Sequence, residues 1–303
     1  MALTLKQIRY FIAAAETGKI SSAAIDLNIS ASSITEAVKE LEAEMKVSLL
    51  IRSKNGVNLT YEGYRFLQYA KNILSSVDDA RYGMTQSGTD FSGKLDIALT
   101  ITVAGYFISK PLARFRRTFP NIEITLHEHS RKIVEKKIEH DQIDLAVVLT
   151  SNISAGADFS YLTLFTSHRR LWLPSDHPLN EVASPTLEEI SREPYIQLTI
   201  DEAAQTTQNY WKNHKLKPNV IYSSESVEAI RSLVGSGAGV TILSDMVHRP
   251  WSLEGLPVAT KPVRETIPTM DTGIIWKRNR SLSQSAKAFI DFCRMEYTSG
   301  RRR

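Results

Sequence analysis

Residues 20–41 read Ile-Ser-Ser-Ala-Ala-Ile-Asp-Leu-Asn-Ile-Ser-Ala-Ser-Ser-Ile-Thr-Glu-Ala-Val-Lys-Glu-Leu. The stretch holds two short apolar faces at helical spacing: Ala23, Ala24 and Leu27, then Ile34, Val38 and Leu41. Asn28 suits the turn between them. Ser30 is placed to cap the second helix, and Ser21 or Ser22 to cap the first. Two helices across so short a turn, the later one capped by serine, make a helix-turn-helix, and the small Ala23 and Ala24 allow the pair to approach closely.

The flanks extend this unit. Upstream, Leu5, Ile8, Phe11, Ile12 and Ala15 line one face of a helix that Gly18 can close in a left-handed cap. Downstream, two short strands, 47–52 and 57–60, flank an Asn-Gly turn whose tip carries Arg52, Lys54 and Asn55. A basic hairpin behind a helix-turn-helix is a wing. Residues 61–86 contain no proline, and Leu67/Leu74, Ala70/Val77/Met84 and Phe66/Ile73/Ala80 recur at heptad spacing. This predicts a helix of roughly 35–40 Å whose apolar seam calls for a partner, most simply a second copy of the chain.

From residue 94 onward strand and helix patterns alternate: strands at 95–100, 122–129, 143–149, 162–173, 220–223, 240–243 and 272–277, helices at 103–118, 131–140, 203–214, 226–234 and 283–296. The alternation predicts an α/β region with a parallel sheet. Gln86–Gly93, rich in Gly and Ser, reads as a hinge.

Composition narrows the function without naming it. The 303 residues suit two or three domains. The net charge of +4 permits a nucleic-acid partner but is not gathered on the first unit. Up to Thr60, Lys6, Arg9, Lys19, Lys39, Lys46, Arg52 and Lys54 are nearly balanced by Glu16, Asp26, Glu36, Glu40, Glu42 and Glu44. The single cysteine, Cys293, excludes an intramolecular disulfide and a thiolate metal cage. No apolar run approaches the roughly 20 residues that cross a bilayer, and residues 1–10 lack a secretory pattern; no membrane partner and a cytoplasmic location are expected.

The sequence holds no nucleophile elbow, no paired-histidine zinc motif and no dinucleotide fingerprint. Gly235-Ser236-Gly237-Ala238-Gly239 precedes a strand, where a phosphate loop would follow one. His127-Glu128-His129 puts two imidazoles on one side of a strand, but without a third ligand nearby. No catalytic residue, metal or cofactor is assigned. A solute-binding protein would leave the leading helix-turn-helix unexplained.

The order of these parts resembles the LysR family of transcription regulators along nearly the whole chain, most closely over residues 5–63. Ile8-Arg9-Tyr10-Phe11 resembles its first helix, and Ser22-Ala23-Ala24 with Leu27, Ile29 and Ser30 its second helix and turn. Ile34-Thr35, Val38-Lys39 and Leu41-Glu42 resemble its recognition helix; Leu49, Arg52, Leu59-Thr60 and Glu62-Gly63 its wing and linker start. The chain departs from the family at Ala31-Ser32, where Gln-Pro is common, at Glu36, where a base is common, and at Lys46 and Leu50, where Gly and Phe are usual.

The resemblance implies an N-terminal all-α winged helix-turn-helix (1–60), a linker and dimerisation helix (61–86), a hinge (87–93) and an effector domain (94–303). That last domain is expected to be an α/β two-subdomain sensor like periplasmic binding proteins, with subdomain I at 94–162 and 268–303 and subdomain II at 163–267. Double-stranded promoter DNA would be read by Ser30, Ser32, Ser33, Thr35 and Lys39 on the recognition helix and by Arg52, Lys54 and Asn55 on the wing. A small, carboxylate-bearing effector would lie between the subdomains against Thr100, Thr102, Ser130 and Thr150 on one side and Gln197 and Thr199 on the other. With few cations per subunit, tight DNA binding calls for a homodimer or a dimer of dimers. RNA polymerase is a further partner the resemblance allows.

Overall fold

The structure is a computed structural model that describes residues 3–53, 56–85, 91–153, 158–201 and 203–299. The chain forms two compact units, one up to residue 90 and one spanning Phe91–Thr298. Lys54, Asn55 and most of the expected hinge lie outside the described residues.

In the first unit α1 (Leu5–Thr17) starts from a capping box, in which Thr4 Oγ1 accepts the Gln7 N–H and Gln7 Oε1 accepts the Thr4 N–H. Gly18, at φ 66°, closes it. Helix α2 (Ile20–Asp26) is capped by Lys19 with no side-chain bond, so the expected Ser21 or Ser22 cap is not formed. The reason is local: Thr17 Oγ1 donates to the Lys19 carbonyl at 2.9 Å, and the turn at Gly18 restarts the helix ahead of both serines. Helix α3 (Ala31–Met45) does begin at Ser30 and ends at Lys46, which sits at φ 54°. That left-handed conformation explains why glycine is the natural occupant there.

Strands β1 (Leu50–Ser53) and β2 (Gly56–Leu59) pair antiparallel as the wing. Helix α4 (Tyr61–Thr85) follows. Ile8, Phe11, Ala14, Ala23, Ile34, Val38, Leu41, Leu49, Phe66 and Ala70 share one buried core, with the Phe11 and Phe66 rings 5.2 Å apart. The first turns of the α4 seam, Phe66, Leu67 and Ala70, are therefore satisfied inside their own unit, which corrects the expectation that the whole seam waits for a second chain.

The second unit begins with β3 (Gly93–Leu99), α5 (Ile101–Tyr106), α6 (Ser109–Thr118), β4 (Ile122–Glu128), α7 (Arg131–Glu139), β5 (Leu145–Leu149) and β6 (Phe159–Ser167). Next come β7 (Arg169–Pro174), α8 (Leu187–Ser191), β8 (Pro194–Leu198), α9 (Ala203–Asn213), β9 (Asn219–Ser224), α10 (Val227–Gly235), β10 (Thr241–Ser244) and β11 (Val258–Lys261). The chain returns through β12 (Met270–Lys277) and ends in α11 (Gln284–Ser299).

The first sheet has the order β4-β3-β5-β12-β6, with β3, β4 and β5 parallel and β12 antiparallel to both neighbours. The second is built the same way. Strands β8 and β9 are parallel, a parallel bridge joins Tyr195 to Val240 at the start of β10, and β7 runs antiparallel between β10 and β11. Both sheets are thus mixed and not parallel, because each receives one strand from the far end of its own segment.

Two further expectations change. The helix expected at 103–118 is two, since Pro111 lacks the N–H that would continue the ladder back to Phe107. The strand expected at 162–173 is also two, parting at His168: β6 pairs with β12 as far as Ser167, and β7 belongs to the second sheet. The first subdomain therefore runs past the boundary drawn at Thr163.

Gly63 marks the tightest joint in the first unit. A Cβ there would stand 2.0 Å from the Leu49 carbonyl oxygen, which also accepts the Thr60 N–H at 3.0 Å. Gly63→Ala is expected to cost the unit about 1–3 kcal/mol, read as a lower denaturation midpoint. Gly105→Ala, exposed on α5 with nothing within 4 Å of the added carbon, should instead gain up to about 1 kcal/mol.

Candidate DNA-reading face and effector cleft

The N-terminus of α3 presents a cluster of three hydroxyls. Ser30 Oγ accepts the Ser33 N–H at 3.1 Å and lies 2.8 Å from the hydroxyls of both Ser32 and Ser33. Ser30, Ser32 and Lys39 are exposed, Ser33 and Thr35 half-buried, and Glu36 is exposed among them. The buried side of the helix, Ile34, Val38 and Leu41, fixes this face outward. Arg52 is exposed on β1 opposite Val57.

Sequence reasoning passed over the residue that joins wing to helix. Glu42 Oε1 accepts the backbone N–H of Leu49 at 2.7 Å and of Leu50 at 3.0 Å. Nothing in the periodicity separates Glu42 from the exposed acids Glu40 and Glu44 around it. Across the hairpin, the Val57 N–H donates to the Gly18 carbonyl at 2.8 Å, and Gly56, at φ 140°, leaves no room for a side chain beside that oxygen. The wing is thus held at both ends. Glu42→Ala should cost about 1–3 kcal/mol for each amide left bare, and faster hydrogen exchange at Leu49 and Leu50 should accompany the loss.

In the second unit the two subdomains face each other across a cleft. Its inner pocket is lined by Thr102 and Leu149 from the first subdomain and by Leu198, Asp201, Thr207, Ile242 and Ser244 from the second, with Arg169 and Met270 at the crossing strands. The free space there is only about 30 Å³. A wider cavity of about 400 Å³ opens beside it, sharing Asn152 and Thr206 and lined by uncharged groups that include Gln205, Asn209 and Tyr210.

Hydrogen bonds cross the cleft. The Thr102 N–H donates to Asp201 Oδ2 at 2.8 Å, and Asn152 Nδ2 donates to the Asp201 carbonyl at 3.3 Å. Farther along, Tyr106 Oη donates to Glu228 Oε1 at 2.8 Å, and Glu228 pairs with the buried Arg231. Burial works against ionisation of Glu228, but the hydrogen bonds from Arg231 and Tyr106 outweigh it and hold the carboxyl below its usual range. Burial, then Glu228, pushes the Tyr106 hydroxyl up. The contribution of Glu228 is therefore complete above the ordinary carboxyl range and fades as pH falls through its lowered value.

Arg169 is the other residue the sequence did not expose. Its Nη1 donates to the carbonyls of Pro268 and Thr269, the latter at 2.7 Å, tying together the two segments that cross between subdomains. It forms no ion pair among the described residues. Burial pushes its guanidinium pKa down, while Tyr210, Tyr195 and Asp271 pull the other way. Beside Arg170 on one strand, Arg169 carries no signal in the sequence, because its neighbours in the pocket are far away along the chain.

Of the residues expected to meet an effector, Thr102 lines the inner pocket. Thr100 caps α5 without a side-chain bond and its buried Oγ1 has no partner. Ser130 is exposed at the start of α7. Thr150 is buried with its hydroxyl 3.2 Å from that of Thr163. Gln197 is buried on β8, and the Thr199 N–H donates to the Ser224 carbonyl at 2.9 Å. These last five do not line the two cavities described. His127 leans on Asp96 at 3.2 Å, and no three His, Cys, Asp or Glu side chains among the described residues form a metal-holding group. No described helix is long and apolar enough to cross a membrane.

A winged helix-turn-helix followed by a two-lobed α/β domain with a cleft defines a ligand-responsive DNA-binding protein. Comparison with known proteins gives the family. Residues 5–64 match the bacterial regulatory helix-turn-helix domain of the lysR family, and residues 88–298 match the LysR substrate binding domain. The chain belongs to the LysR family of transcription regulators. It is 27% identical over 299 residues to the transcriptional dual regulator GltC of Bacillus subtilis, covering 96% of each chain. It is 30% identical over 262 residues to the regulator CysB of Burkholderia cenocepacia, covering 84% of this chain and 82% of that one. Among solved structures, the LysR family regulator HinK of Pseudomonas aeruginosa superposes with a TM-score of 0.64 at 26% identity, over 98% of this chain and 99% of that one. The chain is thus a DNA-binding regulator with an effector-binding domain, and not an enzyme.

Proposed function

We propose that this regulator binds a small carboxylate-bearing effector between its two α/β subdomains, and that occupancy of the cleft changes how paired winged units sit on promoter DNA. The observation that supports the effector class is Arg169: a half-buried cation without an ion-pair partner among the described residues, bordering the inner pocket. A cation partly withdrawn from water gains from an opposite charge, and a ligand carboxylate supplies it with charge-assisted hydrogen bonds. Thr102 and Ser244 add polar groups at the same pocket.

On the DNA side, Ser30, Ser32, Ser33, Thr35 and Lys39 face the major groove, and Arg52 with Lys54 and Asn55 follow the backbone or the minor groove. The acting form is a homodimer or a dimer of dimers, because one nearly neutral winged unit offers few phosphate contacts. Promoter DNA as target places the protein in the cytoplasm, where RNA polymerase is the further partner of the bound form.

Two measurements test this. The double change Thr35→Ala with Arg52→Ala should weaken retention of promoter fragments roughly tenfold or more, and unchanged gel-shift titrations would remove the proposed reading face. In the full chain, thermal denaturation with small carboxylates, with and without an α-ammonium group, should show stabilisation that the matching amides do not give. Arg169→Gln should abolish that stabilisation; equal shifts in the variant would overturn the carboxylate anchor.

A further inference from the structure

The inner pocket carries two formal charges of opposite sign that do not pair with each other. Arg169 spends Nη1 on the carbonyls of Pro268 and Thr269, and Asp201 spends Oδ2 on the Thr102 N–H. Among the described residues no other charged side chain lines the pocket, and none lines the wider cavity beside it. We infer that the effector is a zwitterion, an α-amino acid with an uncharged side chain, whose carboxylate meets Arg169 and whose ammonium meets Asp201. The inference rests on the carboxylate reading above and adds the second charge.

The chemistry of the two groups supports the assignment. A carboxylate has about four acceptor sites, and the hydrogen bonds found for Asp201 use one. An anionic effector without a cationic group would bring a second negative charge against Asp201, which repels it. A purely cationic one would leave Arg169 unpaired and repel it. A molecule carrying both charges closes both accounts and leaves the site neutral. The remaining lining near the charges is apolar, Leu149, Leu198, Ile242 and Met270 among them, while Gln205 and Asn209 face the wider cavity. That cavity has the volume for a side chain, and its lack of charge selects against acidic and basic ones.

Asp201 also sits at φ 47°, an uncommon conformation for a non-glycine residue. Its position places one carboxylate from the second subdomain against the first, so a ligand ammonium held by Asp201 and a carboxylate held by Arg169 would report on closure of the cleft.

The test uses the full-length protein and thermal denaturation with each common L-α-amino acid, its 2-hydroxy acid and its amide. At least one amino acid with an uncharged side chain should raise the midpoint by several degrees at saturation, with its hydroxy acid and its amide both at least tenfold weaker. Asp201→Asn keeps an oxygen for the Thr102 N–H and removes the charge; it should lower affinity for that amino acid roughly tenfold or more. A circular dichroism spectrum and ligand-free midpoint like those of the wild type establish that the variant is folded; if it is not, the hydroxy-acid comparison in the wild type decides alone. A hydroxy acid that binds as well as its amino acid overturns the zwitterion and leaves Arg169 as a carboxylate anchor. Amides that bind as well as acids overturn the carboxylate reading itself, and absence of any shift across the amino acids overturns the inference.

Discussion

A guanidinium held by two backbone carbonyls is the constraint around which the sensing half of this protein is joined. Arg169 opens β7, at the point where the chain leaves the first subdomain, and its hydrogen bonds reach the segment by which the chain returns. Burial presses its pKa down, while Tyr210, Tyr195 and Asp271 pull it up. The same side chain thus holds the crossing segments together and borders the inner pocket of the cleft. On the proposed reading, ligand chemistry and the crossing between subdomains meet at one residue.

The reading half obeys a different constraint. Its surface charge is close to balanced, so affinity cannot come from a basic patch, and Glu36 stands exposed among the hydroxyls of α3. On the proposed reading face, specificity comes from placement: a serine cluster fixed by its own cap bond, and a wing fixed to the helix by Glu42 at one side and by the Gly18 carbonyl at the other. Rigid placement of weak contacts suits a protein that gains strength by presenting two or more copies to one duplex, since each misplaced unit would forfeit the advantage of linkage.

How far the sequence could be read follows from the range of the interactions. The helix-turn-helix, the Ser30 cap and the wing were legible because their signals lie within a few residues: an apolar face, a serine, an Asn-Gly turn. The α4 seam was legible as a pattern, but not its use, since Phe66 and Leu67 give no sign of whether their partner is Phe11 or a second chain. The sheets were misread as parallel because β12 and β7 enter from a distance and their apolar runs look the same in either direction. Arg169 and Asp201 were invisible for the same reason: they become neighbours of one pocket only after strands from both subdomains have paired.

The two subdomains share one plan that their residues do not betray, a parallel trio followed by an antiparallel strand and an edge strand. In each, the antiparallel strand is the one adjoining a crossing: β12 begins where the chain returns, and β7 where it departs. The first crossing is the single residue His168, between the edge strand β6 and β7, and the second, residues 262–269, leads from the edge strand β11 into β12. A change in the angle between subdomains must be absorbed at residues such as His168 and Thr269, a few bonds from Arg169. On the proposed reading, a ligand held by Arg169 acts beside both crossings, where a small displacement gives a large rotation between the subdomains.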